Sequence, residues 1–394
     1  MKNINLLDKN LNFNILLAGI IKLFIGVGVA RFAYTSLLPA MLESNALSLN
    51  FSGVIASVNY VGYLSGAIFA IFMKDINTKV KYFRFGIVFC ILTTIIMGIT
   101  TNEIAWLISR LIAGFSSAML LVVGAAIVMV KLNFEDKTKA MGIYFSGIGI
   151  ALASSDLISR YALSIYSWET SWIILSLCGG LVAFYPLYIL SFDKELKTKN
   201  EKHPFNKALF SPFVVILIAA YFTAGVGFVI QGTFLPTILK SINGLENIAA
   251  LSWLLVGLAA IPSSIIWMRL AHKFGSINII IIAMSIQIIG ILIPALTDNM
   301  YLNLFCGILY GFTFAGLVAL FMNFGGKLAG KNPVMLMGAL TTAYGIGQVS
   351  APLYAVTLTS LTGNYDYALY LTACIVAFGV FLLLVAKKVK TYVF

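Results

Sequence analysis

The chain is poor in the residues on which most soluble chemistry depends. Asp and Glu together number 14, His 2 and Cys 4 among 394 residues. His203 and His272 stand apart in polar stretches. Cys90, Cys178, Cys306 and Cys374 each sit singly in an apolar run, with no disulfide or metal spacing. Neither a metal cluster nor a nucleophile with its base can be assembled from so few donors, so no enzyme, metal or cofactor is expected. A Walker-type phosphate loop is also missing, which excludes direct ATP hydrolysis. Charge is the third scarcity. Charged residues make up 10% of the chain and hydrophobic ones 60%, with a mean hydropathy of +0.98. Soluble domains carry roughly 25% charge, so this composition describes a polytopic membrane protein.

What is present is a series of long apolar runs. A bilayer-spanning helix needs ~20 such residues, and twelve stretches qualify. They are 14–42, 51–73, 83–101, 104–130, 140–163 and 170–191, then 208–239, 247–271, 276–297, 300–328, 335–360 and 366–387. The first run extends past the length of a signal-peptide core and reads as a retained helix. The net charge of +12, taken alone, would suit a nucleic-acid partner. With twelve crossings and an inner N-terminus, however, all Lys and Arg except Lys22, Arg31, Arg110, Arg160 and Lys240 fall on one side. The positive-inside rule therefore predicts a multi-pass protein of the inner (cytoplasmic) membrane with both termini in the cytoplasm. The basic excess is then topology and lipid contact, with no nucleic-acid partner.

Residues 192–207 form the longest polar stretch and divide the chain into an N-terminal unit (1–191) and a C-terminal one (208–394). Shifting one unit over the other by 197 residues brings Gly28 onto Gly225, Pro39 onto Pro236, Gly114 onto Gly311 and Phe115 onto Phe312. A shift of 196 places Met141-Gly142 on Met337-Gly338, Gly149 on Gly345 and Ser154 on Ser350. The near-constant offset predicts a duplicated six-helix unit in which helices 1, 4 and 5 correspond to 7, 10 and 11. Parallel repeats of this kind leave a path between them, and alternating access follows from rocking one on the other. The expected fold is an all-α integral membrane protein with twelve transmembrane helices in two pseudo-symmetric six-helix bundles. Glycines 142, 147, 149, 338, 345 and 347 are expected to allow close packing between the bundles.

Five segments carry a family resemblance: 28–39 (GVARFAYTSLLP), 59–67 (NYVGYLSGA), 110–114 (RLIAG), Trp168 with Trp172, and 253–262 (WLLVGLAAIP). In these the chain resembles major facilitator superfamily transporters, the YbfB/YjiJ branch in particular. The resemblance implies that helices 1 and 4 line the central path and that helix 5 flanks it. Two features depart from the superfamily pattern. The loop after helix 2 is reduced to Asp75 with Lys74, Lys79, Lys81 and Arg84, and helix 5 has Gly147-Ile148-Gly149 without the Gly-Pro pair of its antiporters.

The charges inside the runs point to the site. A guanidinium at a bilayer centre costs at least ~2.5 kcal/mol, so Arg31 and Arg110 are expected to face an interior or a wet path. Counting 1.5 Å per residue places Arg31, Arg110 and Asp156 at one depth. Planar guanidiniums suit a carboxylate or phosphate, so both arginines are candidate substrate ligands. Asp156 is the candidate counter-ion or proton carrier; alternatively it pairs with Arg160 one turn away, or with Arg110. Lys22 lies nearer the inner surface and is expected to snorkel. Tyr34, Asn59, Gln231, Tyr344 and Gln348 complete the candidate substrate wall, with Tyr60, Tyr63, Gln287, Asn323 and Thr341 beside them. The duplication and the resemblance imply a monomeric secondary transporter, with Asp156 suiting it to proton coupling. The sign of the charge predicts that its small organic solute bears a negative group, such as a carboxylate metabolite or chelator. Proton-driven efflux of hydrophobic or cationic compounds is the alternative.

Overall fold

A computed structural model describes residues 6–73, 75–132, 137–191, 211–329 and 333–388. The polar stretch 192–207 lies outside the described residues. The described chain is helical throughout, and its long helices number twelve. α1 runs over 6–43, α2 is Leu49–Ile71, α3 Ile76–Ile99, α4 Glu103–Lys131, α5 Lys137–Leu163 and α6 Trp168–Ser191. α7 is Pro212–Lys240, α8 Leu251–Phe274, α9 Ser276–Leu296, α10 Met300–Ala329, α11 Pro333–Thr362 and α12 Asp366–Ala386. Among the described residues, eleven of these are long and apolar enough to cross a bilayer. α11 has the length but interrupts its apolar run with Thr341, Thr342, Tyr344, Gln348 and Ser350.

Short polar side chains fix where the helices begin. Asp75 accepts from the Thr78 amide at 2.9 Å, Asn102 from that of Ala105 at 3.0 Å, and Ser211, just before Pro212, from that of Val214 at 3.3 Å. The Asp75 cap corrects the expected start of α3 from 83 to 76: Lys79, Lys81 and Arg84 belong to its first turns, not to a loop. α8 likewise starts at Leu251 rather than 247, because turns occupy 241–250. Two helices depart from regular α geometry. Phe24–Phe32 in α1 and Met119–Val123 in α4 are π-helical, both in the first bundle.

The packing repeats. α2 packs on α4 as α8 does on α10, α3 on α6 as α9 on α12, and α1 on α5 as α7 on α11. One detail shows how deep the repeat goes. A Cβ added at Gly114 would lie 2.0 Å from the Asn59 carbonyl, and one added at Gly311 would lie 2.2 Å from that of Val256. Both the glycines and the carbonyls they face are related by the same 197-residue offset, so only Gly permits either approach.

The bundles meet along α2–α11, α5–α8 and the later part of α1 against α7. Gly149 against Gly257, and Gly345 against Leu64, lie in these seams as expected. Gly147 and Gly347 instead pack within their own bundles, against α1 and α7. Polar contacts between the bundles gather towards the face away from the chain ends, here the far face. Lys240 Nζ pairs with Glu43 Oε1 at 2.6 Å, Ser360 Oγ donates to Asn50 Oδ1 at 2.5 Å, and Ser57 Oγ donates to the Val349 carbonyl at 2.9 Å. Large apolar side chains such as Leu181, Phe184 and Leu361 project outward, as lipid contact requires.

Candidate functional site

α1 and α7 cross at the pseudo-axis, where positions equivalent by the repeat touch each other. Pro236 has no N–H, so the carbonyl four residues earlier, Gly232, loses its helical donor. Thr35 Oγ1 supplies that donor from the other bundle at 2.6 Å, and Thr35 and Gly232 are 197 residues apart. One turn away, Arg31 lies over the ring of Phe228, its own repeat equivalent, with the guanidinium 6.0 Å from the ring centre.

Arg31 is the last-turn base of the π-helical segment and is buried. Aromatic faces surround its guanidinium: Tyr63 at 4.2 Å, Tyr60 at 4.9 Å and Phe32 at 5.1 Å. Such contacts offset part of the desolvation cost of a cation but use none of its in-plane donors. One donor reaches Gln348 Oε1 at a long 3.4 Å, and Nε has no partner. Tyr344 stands beside this contact, stacked on Tyr221 at 4.5 Å.

Arg110 is buried too, but it is occupied. Its terminal nitrogens donate to the carbonyls of Ala30 at 2.8 Å and Arg31 at 3.2 Å, and its guanidinium lies 5.1 Å from the Tyr34 ring centre. The π-helical turns displace α1 carbonyls from their usual partners, and Arg110 reads two of them from α4. Asn59 Nδ2 donates to the Arg110 carbonyl at 2.9 Å, fixing α2 to α4. Tyr34 OH donates to the Ser52 carbonyl at 2.9 Å, and Tyr60 OH pairs with Thr233 Oγ1 at 3.3 Å. Arg31, Tyr34, Thr35, Asn59, Tyr60, Arg110 and Thr233 line one cavity of about 10 Å³. That is space for about one water, so the site is closed in this conformation.

Three expectations need correction. Asp156 does not join Arg31 and Arg110 but takes the alternative partner, Arg160. Its Oδ2 pairs with Arg160 Nε at 2.9 Å without hydrogen-bond alignment, and its Oδ1 accepts from Ser36 Oγ at 2.8 Å. An i,i+4 partner on the same helix needs no chain closure and outcompetes a distant one. Neither Arg31 nor Arg110 forms an ion pair with a described residue. Gln231 turns away from the cavity and donates to the Gly290 carbonyl on α9 at 3.0 Å; Gln287, also in α9, is buried beside α7 without polar partners. Lys22 does not snorkel. It is fully buried, and Nζ donates to the Leu120 carbonyl in the π turn of α4 and to Tyr144 OH on α5. Gly124 leaves the notch that its stem fills. Thr35 and Thr233 are additions to the site; the orphan carbonyl four residues before Pro236 was the signal in the sequence.

A sequence profile of the family described as "Uncharacterised MFS-type transporter YbfB" matches residues 23–384. The chain belongs to this transporter family. It is 25% identical over 266 residues to the uncharacterized MFS-type transporter YceJ of Bacillus subtilis, covering 66% of the chain and 68% of that protein. The putative transporter AraJ of Escherichia coli is 22% identical, with 88% and 85% covered. Among solved structures, the nucleoside transporter NupG superposes with a TM-score of 0.76 at 12% identity, over 97% of this chain and 100% of NupG. A bacterial homolog of the lysosomal transporter Spinster, inward-facing and unoccupied, gives 0.69 at 14%, over 98% of each. At such identities the structural likeness shows the fold alone. The protein is thus a multi-pass membrane transporter with the MFS fold, and not an enzyme.

Proposed function

We propose that this transporter moves a small organic solute bearing a negative group, by alternating access coupled to protons, across the inner membrane with both termini in the cytoplasm. The observation that carries the reading is the difference between the two arginines. Arg110 spends its donors on α1 carbonyls, whereas Arg31 keeps most of its in-plane donors open inside the cavity between the bundles. A buried guanidinium without an anion is a poor resting arrangement and a good receptor for a carboxylate. No acid is among the residues lining that cavity, which disfavours a cationic solute. Tyr344 and Gln348 border Arg31 from the second bundle, so a solute held there touches both bundles and can bias their rocking.

Proton coupling is assigned to Asp156, the one acid deep within the apolar runs. Its carboxylate ties α5 to α1 through Ser36, and protonation would weaken both that tie and the Arg160 pair. Proteoliposomes with an imposed pH gradient test the scheme against carboxylates, phosphate esters and amphipathic cations. Gradient-driven accumulation of an anion that is lost in Arg31→Gln is expected. Unchanged anion uptake in that variant would remove the anion site, and full gradient-driven accumulation in Asp156→Asn would remove the proton assignment.

A further inference from the structure

The polar groups around Arg31 limit what else a solute can offer. Thr35 is bonded to the Gly232 carbonyl, Tyr34 to that of Ser52, Asn59 to that of Arg110, and Tyr60 to Thr233. These four side chains already have protein partners; the hydroxyls of Tyr63 and Tyr344 and the amide of Gln348 are the polar groups left beside the guanidinium. Most of what faces the guanidinium is ring surface. Tyr63, Tyr60, Phe32 and Phe228 lie within 6.0 Å of it, and Phe228 continues into Tyr344, at 5.9 Å, and Phe314, at 5.4 Å.

We infer that the solute is an aromatic monoanion: one carboxylate for the open edge of Arg31, and a planar apolar body that stacks among the rings around it. The inference rests on Arg31 being the anion site and adds the class of the solute's body. Sugars, polyols and tricarboxylates are disfavoured, because these few groups cannot satisfy all of their additional polar atoms and the rest would be desolvated without partners. A ring loses no such bonds and gains face-to-face or edge-to-face contact. The guanidinium remains sandwiched while its in-plane donors engage the carboxylate, so stacking and ion pairing do not compete.

Affinity measurements on the full chain in lipid nanodiscs test this, with benzoate, acetate, citrate and benzyl alcohol as probes. Trp253, 5.7 Å from Phe32, provides a local fluorescence reporter. Benzoate is expected to bind about tenfold or more tighter than acetate or citrate, and benzyl alcohol far more weakly than benzoate. Tyr63→Ala should shrink the benzoate-to-acetate ratio, and Arg31→Gln should abolish benzoate binding. If acetate or citrate binds as tightly as benzoate, the aromatic inference falls while the anion site stands. If none of the three carboxylates binds, or benzyl alcohol matches benzoate, the anion site itself falls. Should Arg31→Gln fail to fold, the benzoate-to-benzyl alcohol ratio on the unmodified chain makes the same decision.

Discussion

Lys22 shows how little a charge in an apolar run says about its partner. A lysine near a membrane face can extend to water, yet Lys22 turns inward because two acceptors and a glycine notch await it. Tyr144→Phe removes one acceptor and leaves part of a buried ammonium unsatisfied. The expected loss is ~1–3 kcal/mol, read as a lowered Tm in detergent; an unchanged Tm would mean that Lys22 finds another acceptor. Asp156→Asn is milder for stability. Its amide oxygen can still accept from Ser36, and the ion pair it gives up reaches Arg160, whose side chain is 23% exposed, so the cost should stay below ~1 kcal/mol. A larger Tm drop would show that the pair holds the fold together, and a transport defect could then no longer be ascribed to the proton. Arg31 and Arg110 were legible as important because burial of charge is costly. The difference between them was not legible, since it depends on backbone carbonyls that every residue has.

Helix positions and the repeat could be read from hydropathy and offset. The boundaries moved where capping chemistry overrode it: Asp75 pulls Lys79, Lys81 and Arg84 into α3 despite their charge. The two π-helical segments could not be read, because the i→i+5 ladder follows from packing between helices and leaves no compositional mark. They fall in the bundle that bears the buried bases, and each exposes a carbonyl that one of those bases takes: Ala30 and Arg31 for Arg110, Leu120 for Lys22. Site asymmetry in a symmetric fold thus begins in the helices themselves. The repeat also supplies a controlled comparison. Gly114→Ala and Gly311→Ala each drive a Cβ into a backbone carbonyl of the neighbouring helix and should cost about 1–3 kcal/mol, seen as lower Tm and yield. Only Gly114 faces Asn59 and the Tyr63 amide. Gly114→Ala should therefore also weaken Arg31-dependent anion binding, while Gly311→Ala leaves it near normal; equal binding by the two variants would detach the α2–α4 contact from the site.

At the scale of the whole molecule, closure of the far face rests on few polar links, and one of them is a solvent-facing ion pair. Lys240 is 32% exposed and Glu43 59%, so their attraction contributes up to about 1 kcal/mol and is screened by salt. The links beneath it, Thr35 to Gly232 and Ser57 to Val349, are sheltered and salt-insensitive. Glu43→Lys places like charges across the seam and should favour opening at that face. In a chain with its four cysteines replaced and Ser57→Cys introduced, an impermeant maleimide should then react up to about fivefold faster at low ionic strength. The excess should shrink near 1 M salt, where the screening length is about 3 Å. Adding Lys240→Glu restores opposite charges with their positions exchanged and should return the rate to that of the parent. If the double variant labels as fast as Glu43→Lys alone, charge across the seam does not govern closure, and the sheltered hydrogen bonds near the pseudo-axis carry it.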